Sequence, residues 1–289
     1  MTTLKRIVQH GLRGILKGYV RFVPIRKGKV RLIRLLSPLA ANGHEPLKTN
    51  YDNGIVITVD LTEIIQSWIY YFSYYEKELT AFMHQHLRLG MDFVDVGANI
   101  GYYTLMAARR LGPDDRVHAF EPDTRNFKRL QEHIALNRFT NISAVQAAVA
   151  ETTGTVAFYM SPQSWNWGRG SLRPAQADVQ SYVCQSIRLD DYFIGCGHGR
   201  MQRVGMIKMD IEGAELLALQ GATELLKNRP VLLLEVNDTL TRRFGYSSLH
   251  LRCWLQNVGY QCHRLTAQGL VSVSDTELTL NDELICTAR

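Results

Sequence analysis

The sequence predicts an α/β fold, with an open and mostly parallel sheet, helices on both faces, and a basic helical extension in front of it. From residue 92 onward, short apolar segments typical of strands alternate with longer segments that have helical spacing. This alternation is typical of parallel strands joined by right-handed crossovers. A glycine-rich turn follows the first of these strands, and the first 44 residues differ in charge from the rest.

The predicted elements follow from apolar periodicity and from the glycines and prolines between them. The length of 289 residues predicts an N-terminal extension and connector over 1–70 and one domain over 71–289. Within the extension, 21–50 is predicted to be a mixed connector. Predicted strands cover 54–61, 92–96, 116–120, 142–148, 155–160, 183–188, 204–209, 230–236, 260–265 and 283–288; predicted helices cover 4–20, 76–89, 101–111, 124–137, 213–227 and 247–258. Residues 155–188 are predicted to be an insertion with local β structure.

The turn Gly97-Ala98-Asn99-Ile100-Gly101 joins the strand 92–96 to the helix 101–111, and Glu121 ends the next strand. This layout is typical of a site for an adenosine-type cofactor. The glycines let the backbone approach a ligand closely, and the start of the helix presents unpaired N–H groups. A carboxylate at position 121 can accept both ribose hydroxyls. The alternative is an ordinary turn whose glycines serve only its geometry.

The details of this turn argue against a nicotinamide cofactor. A dinucleotide motif needs glycines at 97, 99 and 102, but the chain has Asn99 and Tyr102. Asp95 would also place a negative charge beside a pyrophosphate. S-adenosylmethionine carries a sulfonium, an ammonium and a ribose but no phosphate, so it fits the charges better. The end of the third strand, at Gln146 and Ala147, is predicted to lie near its adenine.

A second group of charged residues follows the apolar strand that ends near 209. Lys208, Asp210 and Glu212 stand at its tip, where charges are unfavourable unless they are paired or used. Asp210 or Glu212 is predicted to orient or deprotonate an acceptor hydroxyl, with Lys208 pairing them or stabilising the oxygen. The alternative is that both acids only cap the helix that starts near Gly213. Glu235 ends the next strand, as a further acceptor-side acid or as the partner of an arginine such as Arg242.

Three motifs of the chain resemble the FkbM family of S-adenosylmethionine-dependent methyltransferases. They are Asp95-Val-Gly-Ala-Asn-Ile-Gly101, Phe120-Glu121-Pro122, and Lys208-Met-Asp-Ile-Glu-Gly-Ala-Glu215. The resemblance implies a seven-stranded class I methyltransferase fold whose last strand inserts antiparallel. It also implies methylation of a hydroxyl on a sugar, a glycan or a secondary metabolite. The segment Tyr74-Tyr75-Glu76 resembles a family segment near the cofactor, which makes Glu76 a further candidate.

Two other functions stay open at this point. The first is a membrane-associated assembly subunit that binds the cofactor without catalysis, which the basic extension would suit. The second is an N-methyltransferase, which the sequence disfavours because Met209-Asp210-Ile211-Glu212 stands where an Asn/Asp-Pro-Pro-aromatic motif is expected. The loop 164–172 has two tryptophans, an arginine and glycines, as expected for a sugar-binding lid or for a simple exposed loop.

Residues 1–44 hold ten Lys or Arg and no Asp or Glu, whereas the rest of the chain holds 23 basic and 27 acidic residues. The basic charge therefore belongs to the extension, which argues against nucleic-acid binding by the domain. Residues 4–20 predict an amphipathic basic helix. We expect residues 1–21 to contact an anionic membrane surface, or alternatively to pack on their own domain or on a second subunit in a homo-oligomer.

Cysteine and histidine usage predict neither disulfides nor a metal site. The five cysteines are scattered without a Cys-x-x-Cys pair, and the nine histidines lack ligand spacing. The N-terminus has no compact apolar stretch of the kind that signal peptides have. We therefore expect a cytoplasmic protein, peripheral to a membrane at most.

Overall fold

A computed structural model describes residues 3–23, 28–161, 166–174, 179–197, 199–273 and 282–288. The chain divides into two compact units. The N-terminal unit comprises Met1–Thr80 and Gln163–Trp167, and the C-terminal unit comprises Ala81–Pro162 and Gly168–Arg289. The two units divide between Thr80 and Ala81, inside a helix and ten residues beyond the boundary expected at 70. The extents of the functional domains remain a prediction.

The N-terminal unit contains helices and one antiparallel hairpin. Its elements are α1 (Thr3–Phe22), α2 (Lys29–Ala40), β1 (Leu47–Tyr51), β2 (Ile55–Val59) and α3 (Ile64–Phe72), and α4 (Lys77–His86) begins in it. Leu16, Val20 and Ile33 are buried in this unit. The structure differs from the mixed connector expected over 21–50, because α2 and β1 occupy most of it. Pro38 lies inside α2, where its missing N–H removes one helical hydrogen bond two residues before the helix ends.

The C-terminal unit is built on an eight-stranded sheet. Its elements are β3 (Asp92–Val96), α5 (Tyr102–Arg110), β4 (Val117–Phe120), α6 (Thr124–Asn137), β5 (Ile142–Val145), β6 (Ala148–Val149), β7 (Gly154–Tyr159), β8 (Ser181–Ile187), α7 (Leu189–Gly195), β9 (Val204–Met209), α8 (Glu215–Gln220), β10 (Val231–Val236), α9 (Asp238–Thr241), α10 (Ser248–Asn257), β11 (Tyr260–Thr266), β12 (Gly269–Ser272) and β13 (Asp282–Ala288). Short 3₁₀ segments lie at Trp167–Arg169, Met201–Arg203, Leu225–Asn228 and Arg242–Phe244.

The strand order of the large sheet is β12-β11-β13-β10-β9-β3-β4-β5. Five neighbours in this order are parallel to one another, namely β10, β9, β3, β4 and β5. Strand β13 is antiparallel to both of its neighbours. The predicted class I methyltransferase fold is therefore confirmed, including the antiparallel insertion of the last strand. The short strand β12 adds an eighth member at one edge by pairing with β11.

Apolar residues on both faces of the central strands form the main core. β3 and β4 are buried along their whole length, as expected for parallel strands covered by helices on both sides. The insertion forms a separate three-stranded sheet in the order β6-β8-β7. Among the described residues, no helix is both long and apolar enough to cross a bilayer.

Two predicted elements are interrupted in the structure. The strand expected over 142–148 divides into β5 and β6, which belong to different sheets. The helix expected over 213–227 divides into α8 and a 3₁₀ turn. The interruption lies at Gly221, where an added Cβ atom would be 2.3 Å from the backbone oxygen of Ala150. This close approach of two backbones explains why the chain leaves the helix there.

Candidate active site

The carboxyl ends of β4, β3 and β9 are adjacent at one edge of the large sheet. From β3, the chain builds one side of the sheet through β4 and β5 and the other side through β9 and β10. The strand order thus reverses beside β3, and ligands of open α/β sheets bind at such a switch point. Asp95, Glu121 and Asp210 all lie at this edge, as the sequence predicted.

The turn after β3 has three residues with positive φ: Gly97 at 82°, Asn99 at 52° and Gly101 at 95°. Asparagine tolerates this conformation better than most residues with a side chain. Both glycines are also held by close contacts. An added Cβ atom would lie 2.1 Å from the backbone oxygen of Asp210 at position 97, and 2.6 Å from Leu130 at position 101.

Glu121 joins the turns that follow β3 and β4. Its buried carboxyl group accepts the backbone N–H of Asn99 at 2.7 Å and that of Asp123 at 2.8 Å. Burial raises the pKa of Glu121 to about 8. A carboxylate offers about four acceptor positions. Two of these are used by the backbone, so the group retains capacity for hydroxyl donors such as those of a ribose.

Asp95 is buried on β3 and accepts the hydroxyl of Thr104 at 2.6 Å. Its second oxygen, Oδ1, has no hydrogen-bond partner among the described residues. Burial raises the pKa of Asp95, and the charge of Lys208, its neighbour in register on β9, opposes that rise. An unpartnered carboxyl oxygen at the ligand edge suits a positively charged ligand better than a pyrophosphate.

Beyond Glu121, the same edge of the sheet is bordered by the ends of β4 and β5 together with β8. Gln146 is exposed and donates from Nε2 to the hydroxyl of Thr124 at 2.9 Å, whereas Ala147 is buried. The hydroxyl of Tyr182, on β8, donates to the carbonyl of Pro122 at 2.9 Å. Sequence reasoning missed Tyr182, because nothing local to β8 indicates that it reaches the tip of β4.

Lys208 is 5% exposed, and its Nζ atom lies 3.6 Å from Oδ2 of Asp210. The ammonium group also lies 5.1 Å from the centre of the Tyr103 ring, which is a favourable cation–π distance. Lys208 therefore pairs with Asp210, and its charge also acts on the carboxyl group of Asp95. Asp210 itself is partly exposed at the sheet edge.

Glu212 has a φ of 55°, an unfavourable backbone conformation for a glutamate. Its carbonyl accepts the hydroxyl of Ser171 at 3.2 Å. Burial, and next the charge of Asp210, raise the pKa of Glu212 to about 8, while Arg169 and Arg243 act in the opposite direction. Strained residues of this kind often stand in functional sites, where the surrounding structure holds them in place.

The N-cap residue of α8 is Ala214, which makes no side-chain capping hydrogen bond, so neither Asp210 nor Glu212 is the N-cap. Glu215 instead holds the turn before the helix. α8 begins at Glu215, whose Oε1 atom accepts the backbone N–H groups of Ile211 and Gly213, each at 3.2 Å. Glu215 is fully buried, and burial raises its pKa to about 7. Glu215 ends the third family motif, but no role was predicted for it. Its position could have indicated its role in this turn, because an acid in the first turn of a helix often accepts nearby backbone N–H groups.

Glu235 is partly exposed near the end of β10, directly opposite Glu283 on β13. Arg242, the arginine considered as its partner, instead donates to the carboxylate of Asp238 at 2.6 Å. Two glutamates opposite each other on neighbouring strands are unfavourable unless other groups compensate. The pair gives this end of the sheet a further acidic position.

The remaining candidates belong to the N-terminal unit or fall partly outside the described residues. Glu76 belongs to the N-terminal unit, where it has a φ of 43° and its carbonyl accepts the N–H of Thr80 at 2.8 Å. Of the predicted loop 164–172, residues 164 and 165 lie outside the described residues. Within the parts of the chain that are described, no group of three or more His, Cys, Asp or Glu is placed to hold a metal ion.

A family model for the FkbM methyltransferase domain matches residues 95–262, which is more than half of the 289 residues. The chain belongs to the FkbM methyltransferase family. The cofactor of this family is S-adenosylmethionine, and the site fits it. Asp95 offers an unpartnered oxygen to a cation, and Glu121 offers acceptors to a ribose.

Similar proteins include two relatives and one solved structure. The 2-O-methyltransferase NoeI of Sinorhizobium fredii is 25% identical over 50% of this chain and 63% of its own length. The hexuronic acid methyltransferase AglP of Haloferax volcanii is 27% identical over 50% of this chain and 54% of its own length. The chain thus spans less than two thirds of either relative. A crystal structure of methyltransferase FkbM from Methylobacillus flagellatus is 20% identical, covers 75% of this chain and 49% of that chain, and has a TM-score of 0.44.

Proposed function

We propose that this FkbM-family chain transfers a methyl group from S-adenosylmethionine to a hydroxyl oxygen of a sugar, a glycan or a secondary metabolite. One observation carries the proposal. The structure brings Asp95, Glu121, Lys208, Asp210 and Glu212 to the same switch point of the sheet, although the sequence separates them by up to 117 positions. Carboxyl groups dominate this edge, as expected for a site that binds a sulfonium and activates an alcohol.

In this proposal the turn after β3 and the tip of β4 hold the cofactor. Glu121 accepts the ribose hydroxyls, Asp95 faces the positively charged methionine end, and the backbone of 97–101 lies against the ligand. Pro122, Gln146 and Ala147 border the adenine. Glu76 remains a candidate on the family resemblance alone.

The bound cofactor supplies a methyl group on a sulfonium that is open to in-line attack by an oxygen. The chain must then align the acceptor and remove a proton from its hydroxyl. Alignment of the reactants can lower the barrier by ~7–11 kcal/mol, and a positioned base adds roughly 10²–10⁴-fold in rate. Glu212 is the better base because its pKa of about 8 lies near neutral pH. Asp210, held by Lys208, orients the hydroxyl, and Glu235 binds another polar group of the acceptor.

The charges beside Glu212 favour an acidic acceptor among these classes. Arg169 and Arg243 are exposed and lie close enough to Glu212 to lower its pKa. A guanidinium group binds a carboxylate through two parallel hydrogen bonds. The similarity to AglP, whose name specifies a hexuronic acid, agrees with an acceptor sugar that carries a carboxylate. We therefore place uronic-acid glycosides first among the candidate acceptors.

If the chain is instead a non-catalytic assembly subunit, it should bind the cofactor but transfer no methyl group. The test combines calorimetric titration of the full chain with S-adenosylhomocysteine and a methyl-transfer assay on neutral and uronic-acid glycosides. Binding with transfer to an oxygen, located by mass spectrometry, supports the proposal. Binding without transfer to any acceptor class favours the assembly subunit, transfer to nitrogen overturns the oxygen assignment, and absence of binding overturns both cofactor-dependent functions.

A further inference from the structure

The helix α1 has two apolar sides, and only one of them faces its own unit. Gln9, Leu16 and Val20 form the buried side, with 6%, 3% and 6% of their surface exposed. Val8, Ile15 and Phe22 are 61%, 71% and 84% exposed. These three residues are seven positions apart, which is almost two helical turns, so they form a line along the outward side.

The helix α2 repeats this arrangement. Lys29, Ile33, Ser37 and Ala40 form its buried side. Leu35 and Leu39, one turn apart, are 70% and 63% exposed. We call the outward residues Val8, Ile15, Phe22, Leu35 and Leu39 the exposed apolar set. Single exposed apolar residues are common, but sets aligned on two packed helices mark interaction surfaces.

The charges around these helices indicate what the surface contacts. Lys5, Arg6, Arg31 and Arg34 are exposed, and residues 1–44 contain no acid. Lys29, in contrast, is buried and donates to the carbonyls of Val20 and Val23, so its charge serves the fold. A second copy of the chain would bring the same positive charges onto this surface. An anionic bilayer would satisfy both the basic and the apolar side chains.

We propose that the N-terminal unit docks on an anionic lipid bilayer through the outward sides of α1 and α2. The exposed apolar set enters the interfacial region, and Lys5 and Arg31, which lie one helical turn from Val8 and Leu35, contact lipid phosphates. This mode of binding requires no membrane-spanning helix. The proposal does not depend on methyl transfer, because none of these residues belongs to the candidate active site.

The test is co-sedimentation of the full chain with vesicles of phosphatidylcholine and phosphatidylserine, compared with pure phosphatidylcholine at low and high salt. We expect binding to the anionic vesicles that high salt releases. The apolar variant is Ile15→Gln with Phe22→Gln, and the charge variant is Lys5→Gln with Arg31→Gln. Each should weaken vesicle binding about tenfold or more, because each removes two interfacial contacts. Glutamine keeps the helix propensity high, so melting temperatures should stay unchanged.

The matched control carries one substitution of each kind in the C-terminal unit, Ile194→Gln with Lys128→Gln, since both residues are exposed there. Its vesicle binding should equal that of the unchanged chain. Failure of the full chain to bind anionic vesicles overturns the proposal, as does equal binding by all variants. A dimer in light scattering that the Ile15 and Phe22 substitutions dissociate, without vesicle binding, would assign the surface to a second copy instead.

Discussion

The α-carbon of Gly97 faces the backbone carbonyl of Asp210 so closely that an added Cβ atom would lie 2.1 Å from its oxygen. The backbone N–H of Asp210 in turn donates to the carbonyl of Val96 at 3.1 Å. The turn 97–101 and the segment that follows β9 are therefore in direct backbone contact. A change in either turn must displace the other.

We expect Gly97→Ala to destabilise the protein by about 2 kcal/mol or more and to abolish cofactor binding. Both the contact with Asp210 and the φ of 82° oppose a side chain there. Chemical denaturation and calorimetry measure the two effects. Gly195→Ala is the control, because an added Cβ atom meets nothing within 4 Å. Equal stability of the two variants would contradict this account of the turn.

Cofactor binding at pH 7 should release a proton from Glu121. The pKa of about 8 leaves this carboxyl mostly protonated in the unliganded protein. Ribose hydroxyls that donate to the carboxylate favour its charged form and lower the pKa. Affinity should accordingly rise between pH 6 and pH 8. Titration calorimetry in buffers with different ionisation enthalpies measures the released proton directly.

Glu121→Gln is the matching variant, since it keeps the shape of the side chain. It should eliminate the proton release and weaken binding by roughly 1–3 kcal/mol, the range for hydrogen bonds to a charged group. Unchanged affinity together with unchanged proton release would show that the ribose is held elsewhere.

Glu212→Gln should lower turnover by about 10²-fold or more while leaving cofactor affinity intact. In the unchanged enzyme, turnover should rise with pH through an apparent pKa near 8, because only deprotonated Glu212 accepts a proton.

Asp210→Asn should move this midpoint to lower pH, since it removes a like charge. Arg243→Gln should move it to higher pH, since it removes an opposite charge. Loss of turnover in Asp210→Asn but not in Glu212→Gln would reverse the two roles.

The free energy of unfolding of the unliganded protein should fall as the pH rises from 5 to 7. Glu215 has a pKa of about 7 when folded, against 4.5 as its ordinary value, so the folded state binds more protons in this window. Its contribution is complete below the ordinary pKa and is lost as the pH rises through 7. Glu215 contributes up to about 1.4 kcal/mol for each pH unit to this slope. Glu121 and Glu212, whose pKa values are about 8, add to it in the same direction.

Denaturation of Glu215→Gln across the same pH range tests this assignment, because glutamine does not titrate. The slope between pH 5 and pH 7 should become shallower. Glu224→Gln serves as the control at an exposed glutamate, and its slope should match that of the unchanged protein. A Glu215→Gln variant that retains the full slope would place the proton uptake on another group.

Much of the fold follows from local sequence, because its strands are buried on both sides and its helices have clear ends. β3, β9 and α6 occupy the predicted residues, and Asp123 caps α6 as its position suggests. The class I topology followed from the family resemblance. The interruptions of 142–148 and 213–227 were not predictable, because they depend on contacts between segments far apart in the chain, such as Gly221 against Ala150.

The same distinction applies to the candidate site. The sequence indicated Asp95, Glu121, Asp210 and Glu235 as site residues, because acids at the ends of apolar strands are conspicuous in a sequence. The hydrogen bonds of Glu215 and the reach of Tyr182 from β8 to Pro122 required the tertiary structure. Which of these groups bind the cofactor and which act on the acceptor stays a prediction until the variants above are measured.

The position of β13 has a consequence for how the protein is made. This strand is the last of the sheet along the chain, yet it lies between β10 and β11. During synthesis both neighbours emerge from the ribosome before the strand that joins them, with backbone groups on their facing edges unpaired. The sheet becomes continuous only when Asp282–Ala288 emerges, so the unpaired edges of β10 and β11 are open to association with other chains from their own synthesis until β13 is made.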